Sequence, residues 1–187
     1  MKNVFLLMAL LFSIMAFSQN AVKVNMNPVN DWESFMVPGV GYGAYMPRDW
    51  QTAGIFHGVT TEFTFYSLTR PAYKGPAYLR TYGQFTMMQS LEEKSKNLFS
   101  YGAGINLSFE REIKRKAMVP YFGIEMGGIH RTDVGGAFQF KPMLGINLIA
   151  TKNVTWYLQG GYMYAASKHF NTLSGGMANT GVLVTFW

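Results

Sequence analysis

Four ionisable residues sit where their charge has to be answered. Glu62, Arg80, Glu125 and Lys141 all fall on the polar parity of stretches in which apolar and polar residues alternate. Glu62 and Arg80 flank the segment RPAYKGP at 70–76, and Glu125 and Lys141 flank the segment at 131–136. A hairpin across either connector sets an acid nearly opposite a base. An enclosed pair of this kind either passes protons or ions, or locks the register of a polar core. The lock is the simpler reading, because an isolated buried ion is very costly and pairing answers that cost.

The other chemistry-bearing residues offer less. His57, His130 and His169 share no metal-ligand spacing, and no acidic residue completes a site, so neither a metal nor a cofactor is expected. The segment Ser167-Lys168-His169-Phe170-Asn171-Thr172-Leu173-Ser174 is the best place for a general base and a nucleophile. His169 meets Ser174 only if that loop folds back, and no acidic residue follows His169 to orient it. Gly39-Val40-Gly41 and Gly102-Ala103-Gly104 are not phosphate loops, because no helix follows either. Cysteine is absent, which excludes disulfides and thiolate chemistry.

The elements that must hold these residues are strands. From Asn97 to Arg111, NLFSYGAGINLSFER, the residues Phe99, Tyr101, Ala103, Ile105, Leu107 and Phe109 alternate with Ser100, Gly102, Gly104, Asn106, Ser108 and Glu110. That is the two-residue period of a β-strand with one apolar and one small polar face. About 9–11 such residues cross a bilayer in a barrel. Similar patterns predict strands over 35–46, 55–68, 78–89, 118–130, 137–150, 154–165 and from 177 onward. With the opening example this makes eight, joined by connectors at 47–51, 70–76, 92–96, 131–136, 151–153 and 166–176 and by a basic turn.

Ahead of the strands, residues 1–18 read as a cleavable signal peptide. Lys2 precedes the apolar run Val4–Phe17, and Ala16 and Ser18 fit the small-x-small cleavage rule. Residues 19–34 form an irregular lead-in, and 35–187 form one domain. No later stretch is long and apolar enough for a transmembrane helix, so a membrane location requires a closed barrel. Charged residues are only 14%, while aromatics are 16%. The net charge of +6 includes a basic cluster, Arg111, Lys114, Arg115 and Lys116, interspersed with Glu110 and Glu112. That is a solvated turn, not a nucleic-acid face.

On these features the sequence resembles the small outer-membrane β-barrels of OmpA/OmpX size. A signal segment precedes eight amphipathic strands. Aromatics stand near strand ends (Phe99, Tyr101, Phe109, Trp156, Tyr162, Tyr164), and the chain closes on Phe186–Trp187. The resemblance implies an all-β, eight-stranded, antiparallel up-and-down transmembrane barrel in the bacterial outer membrane. It also implies that Phe186 and Trp187 form a C-terminal signal read by the barrel-insertion machinery. Partners would be outer-membrane lipids and lipopolysaccharide, with no nucleic acid. A barrel of eight strands is just wide enough to fill with side chains. Its inward set would be Glu62, Arg80, Tyr82, Gln84, Asn106, Ser108, Glu110, Tyr121, Glu125, Gln139, Lys141, Asn147 and Gln159, a polar lumen. The expected role is non-enzymatic: structural, or a surface interaction. Lipid A deacylases share the eight-stranded build and carry a His two residues before a Ser near this last loop. Here that position is Asn171, so a hydrolase using His169 and Ser174 is the first alternative. A narrow channel is the second. A soluble barrel with its apolar faces turned inward is the third.

Overall fold

The computed structural model describes residues 32–33, 37–68, 79–93, 95–108, 117–150, 154–166 and 170–184. Eight long strands follow one another: β2 (Val37–Pro47), β3 (Phe56–Leu68), β4 (Leu79–Ser90), β5 (Asn97–Ser108), β6 (Ala117–Arg131), β7 (Gly135–Ala150), β8 (Val154–Ala166) and β9 (Gly175–Val184). Before them, β1 (Trp32–Glu33) pairs with the end of β3, inside the stretch expected to be irregular. Each long strand pairs antiparallel with its sequence neighbour, and β2 pairs with β9, so the sheet closes as an up-and-down barrel.

The registers set its dimensions. Stepping across the strands from Val37 leads through Thr64, Tyr82, Gly104, Glu125, Lys141, Met163 and Gly175 to Pro47. The line therefore returns to β2 ten residues further on, from position 37 to position 47. A shear of that size over eight strands tilts them by roughly 40–45°, and ten residues then rise about 25 Å along the barrel axis.

The alternation resolves into an apolar outer wall and an enclosed lumen. Ile105, Leu107 and Leu144 point outward, at 48%, 46% and 62% exposure. Tyr42, Val59, Phe85, Tyr101 and Leu158 share that wall. Glu62, Glu125 and Lys141 are buried inside. The alternation that turns Phe138 and Leu144 outward on β7 breaks at a bulge between Asn147 and Ile149. A bulge inserts one unpaired residue and resets the alternation, and Ile149 is left exposed.

Two short helices were not foreseen. α1 (Trp50–Ala53) lies between β2 and β3, and α2 (Phe170–Leu173) lies between β8 and β9. With the β4–β5 and β6–β7 connections they cover one end of the barrel, here called the lid end. Gly135, at φ +102°, lets the β6–β7 chain reverse within three residues, a backbone conformation that side chains disfavour.

Candidate functional site: the barrel lumen

Three tyrosines organise the inward face by the same rule. Tyr82 on β4 is paired with Gly104 on β5, Tyr121 on β6 with Gly145 on β7, and Tyr157 on β8 with Gly181 on β9. Each ring lies on its glycine: a Cβ at Gly104 would stand 2.6 Å from the Tyr82 ring, and one at Gly181 would stand 2.6 Å from the Tyr157 oxygen. The glycines thus let the rings lie flat along the wall, and the hydroxyls reach toward the axis. Tyr157 donates to Glu62 Oε2 at 3.3 Å, Tyr121 to Gln159 Oε1 at 2.8 Å, and Tyr82 lies 3.5 Å from Glu125 Oε2.

The four charges meet inside this frame. Arg80 Nη1 lies 2.7 Å from Glu62 Oε1, and Lys141 Nζ lies 2.6 Å from Glu125 Oε1. Glu125 and Lys141 are direct cross-strand partners. Glu62 and Arg80 are not: Glu62 faces Gln84, and Arg80 faces Ser67. Arg80 stands four residues along β4 from Gln84, the rung partner of Glu62, and its long side chain spans that distance. Its guanidinium lies 5.1 Å from the centroid of the Tyr82 ring and 5.9 Å from that of Tyr157, within cation–π range. Lys141 also donates to Gln84 Oε1 at 3.3 Å. Oppositely charged partners at this distance, with the added hydrogen bonds from Tyr157 and to Gln84, offset part of the cost of enclosing the ions.

The lumen is not polar throughout, as the parity had suggested. Toward the lid end, Tyr45, Phe56, Met88, Leu98, Ile129, Met163, Ala165 and Leu173 pack as one buried apolar cluster. At the opposite end Val37, Tyr121, Tyr157 and Leu183 form a smaller one. Sequence reading missed the larger cluster because it sits on the parity assigned to polar residues. Its signal was legible as doubled apolar residues near the lid-end termini of strands: Tyr45–Met46, Met87–Met88, Leu98–Phe99 and Tyr162–Met163–Tyr164.

Above that plug, Arg131 braces the lid. It is buried, at 2% exposure, and donates from Nε to Asp133 Oδ1 at 2.7 Å. Its two terminal nitrogens reach Asp49 Oδ1 at 3.2 Å and Oδ2 at 3.1 Å, and one of them also reaches the Thr172 carbonyl at 3.0 Å. The fourth connection joins through Ser90 Oγ, which donates to the Ala53 carbonyl at 3.1 Å, and Lys96 Nζ, which donates to the Thr52 carbonyl at 3.3 Å. Tyr45 Oη donates to the Leu173 carbonyl at 2.7 Å.

The remaining candidates stand as follows. Ser174 is fully buried, and its Oγ accepts the Ala165 backbone N–H at 3.0 Å. A serine so placed supports the chain and cannot meet a substrate. His169, Phe186, Trp187, Glu110, the basic turn and the signal segment lie outside the described residues. His57 is half-buried on the outer wall, with its Nδ1 bonded to Tyr42 Oη. His130 is exposed near the lid end. Among the described residues no three His, Cys, Asp or Glu side chains gather where a metal ion could bind.

No family profile matches the chain, and no curated protein matches it in sequence. Solved structures do match. Neisserial surface protein A is 17% identical with a TM-score of 0.58, covering 84% of this chain and 100% of its own. The N-terminal β-barrel domain of Pseudomonas aeruginosa OprF is 13% identical with a TM-score of 0.50, covering 82% of this chain and 100% of its own. At these identities the likeness concerns the fold. The chain has the fold of the small eight-stranded outer-membrane β-barrels.

Proposed function

We propose that this chain spans the bacterial outer membrane as a sealed, non-enzymatic barrel with a structural or surface-interaction role. The observation that carries the reading is the inversion of polarity. A soluble barrel of this size would hold Ile105, Leu107 and Leu144 inside; here they form the outer wall while both ion pairs are enclosed. Hydrocarbon is the solvent that such a wall requires, and a closed sheet leaves no edge unsatisfied in it. Aromatic side chains with polar atoms stand toward its margins. Tyr162 and Tyr164 pack at 4.7 Å between ring centroids near the lid end. Trp156, near the opposite end, donates from Nε1 to Thr180 Oγ1 at 2.9 Å. Such residues suit the level of lipid headgroups.

In this reading the lid faces outward, the signal segment directs export, and Phe186–Trp187 engages the insertion machinery. Outer-membrane lipids and lipopolysaccharide surround the wall. The apolar plug and the braced lid argue against a channel, and the placement of Ser174 argues against the hydrolase. Membrane fractionation with gel migration before and after heating tests the proposal. The expected result is a band that stays with alkali-washed outer membranes and changes mobility on boiling. Release into the soluble fraction by salt or alkali would overturn it.

A further inference from the structure

We infer that the lumen holds a single-water site where the ion-pair layer meets the apolar plug. The site is a cavity of about 10 Å³ between Lys141, Thr86 and Ser100 below and Tyr45, Met88 and Met163 above. That volume is close to the minimum for one water, and a water held inside a protein needs two to four polar partners. All three polar side chains are at least nine-tenths buried: Lys141 is 1% exposed, Ser100 3% and Thr86 5%.

Their hydrogen-bond inventories point to the ligand. An ammonium has three N–H groups. Lys141 directs one to Glu125 Oε1 at 2.6 Å and one to Gln84 Oε1 at 3.3 Å, which leaves a third. Ser100 Oγ accepts from Gln139 Nε2 at 2.7 Å, so its own hydroxyl proton is available. Thr86 Oγ1 shares a 3.1 Å bond with Thr60 Oγ1 and keeps a free lone pair. A water would accept from Lys141 and Ser100 and donate to Thr86, which is three of its four tetrahedral directions. A cation is repelled by Lys141. A halide gains little, because Glu125 already neutralises that ammonium, and its larger radius does not suit a cavity of this size. The water would join the lower ionic network to the hydroxyls beneath the plug.

Crystals of the full chain grown in sodium bromide test this. The expected result is one well-occupied peak, without anomalous signal, within about 3.2 Å of Lys141 Nζ and of at least one hydroxyl oxygen. A bromide peak at that position would make the site an anion site and overturn the inference, as would a cavity without density. In Ser100→Val the lost hydroxyl and added methyl should abolish the peak. Its persistence at the same position would show that Ser100 holds nothing there. The bromide measurement on the parent chain decides the question even if that variant fails to close.

Discussion

Glu125 and Lys141 face each other across one rung of the β6–β7 ladder, with Lys141 Nζ 2.6 Å from Glu125 Oε1 and their side chains 0% and 1% exposed. Removing one partner leaves the other enclosed without its counter-charge. Lys141→Met or Glu125→Leu alone should cost about 3–5 kcal/mol. The joint Glu125→Leu, Lys141→Met chain should lose far less than the two single costs combined. Urea unfolding of the barrel in vesicles measures all three. Additive losses would show that the two side chains do not act as a pair.

The tyrosine-on-glycine rule makes a second-site prediction. A methyl at Gly145 would collide with the Tyr121 ring, so Gly145→Ala should destabilise by about 1–3 kcal/mol. In a Tyr121→Ala background the further cost of Gly145→Ala should largely vanish, because the ring it strikes is gone. Gly136→Ala is the control, because its Cβ would meet nothing closer than 3.5 Å. The midpoint of the heat-induced gel shift reports each variant. Equal shifts for Gly145 and Gly136 would rule out the ring contact.

Arg131 ties three connections through four hydrogen bonds. Arg131→Ala leaves Asp49 and Asp133 without their cation and should loosen the lid while the wall persists. Protease added to intact cells should then cut near α1 or α2 at rates at least tenfold above the parent. Unchanged protection would show that the apolar packing under the lid is sufficient by itself.

The plug, not the ion pairs, should set the barrier to conduction. Planar-bilayer recordings of the parent chain should show no discrete conductance. Leu173→Ser and Phe56→Ser, both at fully buried positions, place polar groups in the plug and should allow brief openings. Openings in Lys141→Met with none in the plug variants would reverse this assignment.

Ser174 Oγ satisfies a buried backbone donor, so Ser174→Ala should cost about 1–3 kcal/mol and leave the acylation of membrane lipid unchanged by mass spectrometry. A changed acylation pattern would reinstate the hydrolase.

What the sequence determined was the outer wall and the parity of the lumen. Period-two alternation over segments such as 97–108 specifies both faces of a strand without knowledge of its neighbours. It also set Glu125 and Lys141 nearly opposite each other, because a short connector leaves little freedom of register; the strand pairing puts them on one rung. The tertiary structure decided what depends on partners distant in the chain. The β3–β4 register, which sets Glu62 opposite Gln84, left Arg80 four residues from that rung. The shear of ten residues set which side chains share a level. The convergence of four connectors made Arg131 a brace and buried Ser174. The plug was decided last: doubled apolar residues such as Met87–Met88 and Leu98–Phe99 mark its positions in the sequence, but only closure of the sheet gives them neighbours from the opposite wall.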